Sequence, residues 1–88
     1  MIKPLEEHVA AFALAIGKKL RAAREARGLS QLDLELRTKI DRANIRKYEK
    51  GQLNVTIEKL LALAAALDAD LNFDLVLRNK VEQPPKSE

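Results

Sequence analysis

Apolar residues near the start of the chain recur at spacings of three and four, which is the period of one face of an α-helix. This stripe consists of Leu5, Val9, Phe12, Ile16 and Leu20. Gly28 follows the pattern and suits the left-handed turn that often ends a helix. The spacing therefore predicts a long first helix over residues 5–27, with Gly17 as the place for a kink or a break.

A second helix is predicted from its N-terminal cap. Ser30 is followed three residues later by Asp33. This spacing is typical of a capping box, in which the hydroxyl accepts a hydrogen bond from the third helical amide and the acid accepts one from the cap amide. The second helix is short and is expected to end near Thr38.

Two further caps predict a third and a fourth helix. Asp41 precedes residues 42–50, a basic segment that stops at Gly51. Thr56 precedes a strongly apolar segment whose larger side chains share one helix face: Ile57, Leu60, Leu61, Ala64 and Leu67. Only a tight turn separates the second helix from the third, so the two form a helix-turn-helix unit.

The apolar period changes from 3.6 to 2 after the fourth helix. Leu71, Phe73, Leu75 and Leu77 alternate with more polar neighbours, which predicts a half-buried β-strand over residues 69–78. The chain contains no second strand, so the expected partner is the same strand of a second copy, with those four residues forming the dimer contact. Residues 79–88 are polar and contain two prolines, and we expect a disordered tail there.

Composition narrows the possible functions. The 88 residues include no cysteine, one histidine and 3% aromatic residues, so we expect one small helical domain with no disulfide, no metal site and no cofactor. His8 and the two serines form no catalytic arrangement, so no enzyme activity is predicted. Charged residues interrupt every long apolar run, which predicts a cytoplasmic protein with no membrane partner.

Charge is concentrated in the middle of the chain. Residues 18–50 carry 11 basic and 5 acidic side chains, a net charge of +6, whereas the rest of the chain carries −3. A basic segment of this kind is typical of a protein that binds a polyanion, although solvated basic faces also occur in ordinary helical domains. A basic second helix in a helix-turn-helix unit also fits a DNA major groove.

Several sequence segments at matching spacing resemble one known family. They are IGKKLRAAR at residues 16–24, RGLSQ at 27–31, the segment from Asp41 to Ile45, YEKG at 48–51, Asn54, and LLALA at 60–64. Together they resemble the Cro-like, XRE-type helix-turn-helix repressor family over residues 14–68. The resemblance implies a lambda-repressor-like bundle of about five helices that dimerises and binds palindromic double-stranded operator DNA.

The same resemblance implies roles for individual residues. Gln31 is expected to hold a DNA phosphate at the head of the second helix, while Leu34 and Ile45 belong to the core. The expected DNA-binding residues are Gln31, Arg42, Ala43, Asn44, Arg46, Lys47, Lys50, Gln52 and Asn54. Arg24 and Glu49 match a buried ion pair that joins the first helix to the recognition helix.

Two positions depart from the family pattern, and two leucines can be interpreted in more than one way. Glu35 stands where the family prefers a small alanine, and Lys39 stands where it prefers glycine, so a positive φ at Lys39 would strain the backbone. Leu32 and Leu36 occupy positions that are usually polar. They form either a partner surface or scattered apolar exposure, and we favour the second interpretation.

The predicted parts of the chain are an N-terminal helical extension (1–13), the DNA-binding domain (14–68), a dimerising strand (69–78) and the tail (79–88). This architecture is similar to antitoxins of the HipB kind, which repress their own operon and bind a kinase-fold toxin. We therefore expect a nucleoid-associated homodimeric repressor that serves as such an antitoxin. The alternatives are a standalone XRE-type regulator and a protein-interaction adaptor with the same fold.

Overall fold

The computed structural model describes residues 2–77, with side chains from residue 5 onward. This part of the chain forms four helices: α1 (Ile2–Ala26), α2 (Gln31–Thr38), α3 (Arg42–Glu49) and α4 (Ile57–Ala66). The predicted mainly α class is confirmed, but the described residues hold four helices where about five were expected. The predicted tail at 79–88 and the last strand residue, Arg78, lie outside the described residues.

The predicted caps start the helices as expected. In α2 the Asp33 amide donates to the Ser30 hydroxyl at 3.0 Å, and the Ser30 amide donates to the Asp33 carboxylate at 2.8 Å. The hydrogen bond from the Ser30 amide lowers the pKa of Asp33, because it favours the ionised carboxyl. The Asp41 carboxylate accepts a hydrogen bond from the amide of Ala43, and the Thr56 hydroxyl accepts one from the amide of Lys59 at the start of α4. Each start was predictable because a cap is a local interaction.

The core joins the helix-turn-helix unit to the other helices. α1 packs on α3, and α2 packs on both α3 and α4. The buried cluster consists of Leu20, Leu34, Ile40, Ile45, Tyr48, Leu63 and Leu67. Leu34 and Ile45 are each 1% exposed, which confirms that they belong to the core. α3 is therefore held from two sides, and its remaining surface faces solvent.

The helix α1 is continuous through Gly17, so the kink or break expected there does not occur. Gly17 instead allows a close crossing: a Cβ at this position would overlap the carbonyl oxygen of Tyr48 and would lie 2.6 Å from that of Glu49. The N-terminal half of α1 carries its apolar stripe beyond the core, since Leu5 is 62% exposed. No helix within residues 2–77 is long and apolar enough to cross a membrane.

The β-strand predicted for residues 69–78 is not found in the single chain. Residues 71–77 have no regular secondary structure, and their side chains are exposed, with Phe73 at 77% and Leu77 at 83%. A strand exists only where a neighbouring strand takes its backbone hydrogen bonds, and the described part of the chain provides no such neighbour. An alternation of apolar and polar residues indicates which side chains can share one face of a strand. It does not provide the second strand that a sheet needs.

The turn between α2 and α3 contains the strained residue that the sequence suggested. Lys39 has φ 65° and ψ 15°, and its amide donates to the Glu35 carbonyl at 2.7 Å. A side chain other than glycine is disfavoured in this left-handed conformation by about 1 kcal/mol or more. The side chain is exposed, so little packing offsets the strain.

We expect Lys39→Gly to raise the free energy of unfolding by about 0.5–1 kcal/mol, because glycine accepts a positive φ without steric conflict. Urea unfolding followed by circular dichroism measures the change. Lys39→Ala is the matched control, since it removes the same charge but keeps a Cβ on the left-handed backbone. Equal stabilities for the glycine and alanine variants would contradict the strain.

Candidate nucleic-acid interface

The outward face of α3 is basic. α3 turns Ile45, Tyr48 and Glu49 toward the protein, which leaves the exposed residues Arg42, Ala43, Arg46 and Lys47, with Lys50 at the C-terminal cap. This face therefore presents four cations and a small apolar side chain without an acid among them. Asn44, also predicted to contact DNA, is only half-exposed at the edge of the face.

One acidic side chain approaches this face from α2. The Glu35 Oε1 atom lies 3.5 Å from the Arg42 Nε atom, and the same oxygen is buried without a hydrogen-bond partner among the described residues. Glu35 is the position where a small residue was expected from the resemblance. The contact places a carboxylate beside the guanidinium at the first turn of α3, and nothing in the local sequence pattern indicated it.

An open pocket of about 390 Å³ lies beside α3 and the N-terminus of α2. Its lining consists of Arg21, Arg24, Ser30, Gln31, Arg46, Glu49 and Lys50. The start of a helix carries partial positive charge and attracts anions, and the four lining cations come from α1 and from α3 with its C-terminal cap. The pocket has the size and electrostatics to accept a phosphate group of a nucleic acid.

A hydrogen-bonded ion pair forms the floor of this region. Arg24 donates to both oxygens of Glu49, from Nε to Oε2 at 2.7 Å and from Nη2 to Oε1 at 3.0 Å. The side chains are 13% and 4% exposed, and Arg24 also donates to the Leu29 carbonyl at 2.9 Å. The hydrogen bond to Glu49 raises the pKa of the Arg24 guanidinium. The pair therefore joins α1 to the C-terminal end of α3.

Gln31 takes part in the same network. Its Nε2 atom donates to Glu49 Oε1 at 3.1 Å. A side-chain amide has a second N–H and a carbonyl oxygen, so Gln31 retains hydrogen-bonding capacity on the pocket side. The contact to Glu49 fixes the amide at the head of α2, where the sequence predicted a phosphate contact.

Two arginines of the basic segment serve the fold. Arg27 donates to the carbonyls of Leu67 and Asp68, each at 2.8 Å, and Arg37 donates to the carbonyl of Ala66 at 3.1 Å. These contacts satisfy carbonyl groups at the end of α4, which a helix leaves without partners. The charge count of the middle segment therefore overstates the number of cations available to a nucleic acid.

The structure brings some of the predicted residues together and leaves others apart. Gln31, Arg46 and Lys50 line the pocket, whereas Gln52 and Asn54 are exposed in the loop after α3 and do not line it. The sequence prediction missed Arg21, which lines the pocket. Its spacing of three residues from Arg24 places both on one side of α1, and that spacing could have identified it.

Comparison with known proteins agrees with this geometry. A family profile described as Helix-turn-helix matches residues 20–73. The chain is similar to an uncharacterized HTH-type transcriptional regulator, RC0668, of Rickettsia conorii, at 33% identity over 58 residues. That alignment covers 66% of this chain and 46% of the relative, so the chain spans about half the length of that curated protein.

A solved structure is similar over most of the fold. The restriction-modification controller protein C.AhdI from Aeromonas hydrophila matches with a TM-score of 0.66 and 40% sequence identity, over 68% of this chain and 91% of that one. The shared fold and the profile match, which covers more than half of the residues, lead to the same assignment. The chain belongs to the XRE-type helix-turn-helix family of DNA-binding transcriptional regulators.

Proposed function

We propose that the protein is a homodimeric, sequence-specific transcriptional repressor that binds a palindromic operator. The basic outward face of α3 carries this proposal, since the helix and its C-terminal cap present four cations and the helix packs against α1 and α2. In a dimer the two recognition helices would enter successive major grooves about 34 Å apart. Residues 14–68 form the DNA-binding domain in this proposal.

The proposed contacts divide between bases and phosphates. Arg42 and Lys47 are assigned to base edges, because arginine and lysine pair with guanine acceptors in the major groove. Asn44 and Arg46 are divided between base edges and phosphates, and Ala43 packs against the groove. The proposed phosphate contacts are Gln31, Lys50, Gln52 and Asn54. The pocket beside Gln31 and Lys50 supports the first two of these assignments.

We expect Arg42→Ala to weaken binding to the preferred operator by about 1–3 kcal/mol, with a much smaller loss on random DNA. The reason is that a base contact contributes only where its base is present, whereas a phosphate contact contributes on every sequence. The operator is first identified by binding-site selection with the full chain. Affinities for operator and random duplexes are then measured at one salt concentration.

Lys59→Ala on α4 is the control for the loss of one positive charge. An equal loss of affinity on operator and random DNA would assign Arg42 to a phosphate. A salt titration separates the repressor from the protein-interaction adaptor, because affinity for an operator falls steeply as salt rises. No operator preference at any salt concentration would favour the adaptor.

We place the dimer contact in the segment 71–77, whose apolar side chains are exposed in the single chain. Pairing with the same segment of a second copy would provide the missing ladder hydrogen bonds and would cover Leu71, Phe73, Leu75 and Leu77. Five of these seven residues are large and apolar, and water is an unfavourable environment for so many in succession.

Phe73→Asp is expected to break this contact and so weaken the dimer, because the new charge would be buried without a partner. Removal of residues 71–88 is expected to do the same, whereas removal of 79–88 leaves the dimer intact. Sedimentation equilibrium of these variants and the intact chain measures the effect, and operator affinity is expected to fall with the dimer. A chain ending at residue 70 that dimerises as tightly as the intact protein would exclude this interface.

A repressor of this kind could be a standalone regulator or a HipB-like antitoxin, and of these two roles we propose the standalone regulator. The antitoxin hypothesis depends on the overall architecture of the chain, and standalone repressors of the same family share that architecture. The similarity to a restriction-modification controller, which covers 91% of that protein, supports a regulator with this fold. The neighbouring gene distinguishes the roles: a kinase-like toxin gene would support the antitoxin, and a restriction or modification gene would support a controller.

A further inference from the structure

The first half of α1 exposes an apolar stripe that the DNA-binding surface does not use. Leu5 is 62% exposed, Val9 45% and Phe12 63%, and Ile16 continues the stripe at the edge of the core. Three large apolar side chains on one face of a projecting helix form a continuous patch, and such patches mark interaction sites.

The spacing of this stripe is the same in both directions along the chain. The intervals between residues 5, 9, 12 and 16 are four, three and four, which are the a and d positions of a coiled-coil heptad. An antiparallel copy of the helix therefore meets the same pattern, with Leu5 opposite Ile16 and Val9 opposite Phe12. Ala13 and Ala15 flank the stripe, and their small side chains allow two helices to approach closely.

Charge at the two ends of the stripe favours this antiparallel arrangement. Glu6 and Glu7 lie at the N-terminal end of the stripe, whereas Lys18 and Lys19 follow its C-terminal end. Antiparallel pairing brings ends of opposite charge together, and parallel pairing brings like charges together. The residues after Leu77 are a poor occupant for the stripe, because Val81 is their only large aliphatic residue.

We propose that residues 5–16 of α1 pair antiparallel with the same residues of a second copy of this chain. The seam has two kinds of layer, Leu5 on Ile16 and Val9 on Phe12, each occurring twice by symmetry. This interface is separate from the C-terminal contact proposed above, and either can fail without the other. In this proposal the N-terminal extension serves self-association and does not contact DNA.

Register-specific disulfide formation tests the seam. The chain has no cysteine, so only introduced thiols can crosslink. Full-length Val9→Cys protein is mixed with full-length Phe12→Cys protein, and time is allowed for the copies to exchange partners before oxidation. Mass spectrometry then distinguishes the mixed disulfide, between residues 9 and 12, from the two symmetric disulfides. We expect the mixed disulfide to exceed the half share that random pairing gives, because residues 9 and 12 face each other.

Two results of this experiment would overturn the proposal. An excess of the symmetric disulfides would show parallel pairing. Crosslinking no greater than that of Lys59→Cys, an exposed position on α4, would show no seam. Both Val9 and Phe12 lie outside the buried core, so their substitution leaves the fold of the domain in place.

Sedimentation provides a second, independent readout. Phe12→Asp is expected to weaken self-association through α1 by at least about tenfold, since both copies lose an apolar side chain from the seam. Ala11→Asp adds the same charge at an exposed neighbouring position outside the stripe and is expected to leave association unchanged. Both measurements are repeated in a chain ending at residue 70, where the C-terminal contact cannot contribute. Equal association of the two variants would assign the stripe to a different partner and overturn the proposal.

Discussion

Glu49→Ala is expected to lower the free energy of unfolding by about 3–5 kcal/mol, the range for removing one partner of a buried ion pair. Glu49 accepts hydrogen bonds from Arg24 at 2.7 and 3.0 Å and from Gln31 at 3.1 Å. The substitution leaves the Arg24 guanidinium, whose side chain is 13% exposed, with the Leu29 carbonyl as its remaining acceptor. Urea unfolding at one fixed protein concentration measures the loss, because the proposed dimerisation would make stability depend on concentration.

The chain contains a matched control for this prediction. Arg21 and Glu25 form an ion pair at 3.0 Å on α1, with side chains 64% and 55% exposed. Glu25→Ala is expected to cost about 0–1 kcal/mol, because water screens an exposed pair. A similar small loss for Glu49→Ala would show that burial adds nothing to the Arg24–Glu49 contact. The double variant Arg24→Met, Glu49→Leu is expected to recover most of the stability, since it leaves no unpaired charge.

Gly17→Ala is expected to destabilise the fold by about 3 kcal/mol, at the upper end of the usual cost of overpacking. The added Cβ would overlap the carbonyl oxygen of Tyr48 and lie 2.6 Å from that of Glu49. Both atoms belong to the backbone of α3, so no side-chain rotation relieves the conflict, and α1 must move away from α3. Thermal and urea unfolding measure the loss, and weaker operator binding is expected to accompany it.

Helix propensity alone predicts the opposite effect for Gly17→Ala, a gain in stability. Alanine within a helix is favoured over glycine by about 1 kcal/mol, so a stabilised Gly17→Ala variant would show that the two helices do not cross closely. Lys18→Ala changes the next, exposed residue and is expected to alter stability by less than about 0.5 kcal/mol. The comparison separates the crossing from any general effect of alanine in α1.

Much of the candidate nucleic-acid interface follows from local sequence. Asp41 was predicted to cap α3, and residues 42–50 to form that helix, because caps and helical periodicity involve residues only three or four apart. The same reasoning places Arg42, Arg46 and Lys47 on the outward side of α3 once Ile45 is assigned to the core. Glu35 could be identified as unusual, but its approach to Arg42 depends on how α2 and α3 cross.

The unconfirmed predictions concern contacts that the sequence pattern does not define. The alternation after Leu71 predicted a strand, yet strand formation needs hydrogen bonds from another segment, and the described single chain supplies none for residues 71–77. Gly17 was predicted to disturb α1, because glycine weakens a helix in isolation. Its neighbours on α3 show that it permits close packing instead.

The sequence by itself determined the four helix positions, the helix-turn-helix unit and the basic character of α3, because each depends on neighbours within about one helical turn or on residue type. Only the tertiary structure decided which charges serve the fold. Arg27 donates to carbonyls 40 and 41 residues away, and Arg24 is separated from Glu49 by 25 residues. Such contacts depend on the angles at which helices pack, and those angles arise from many side chains fitting together at once.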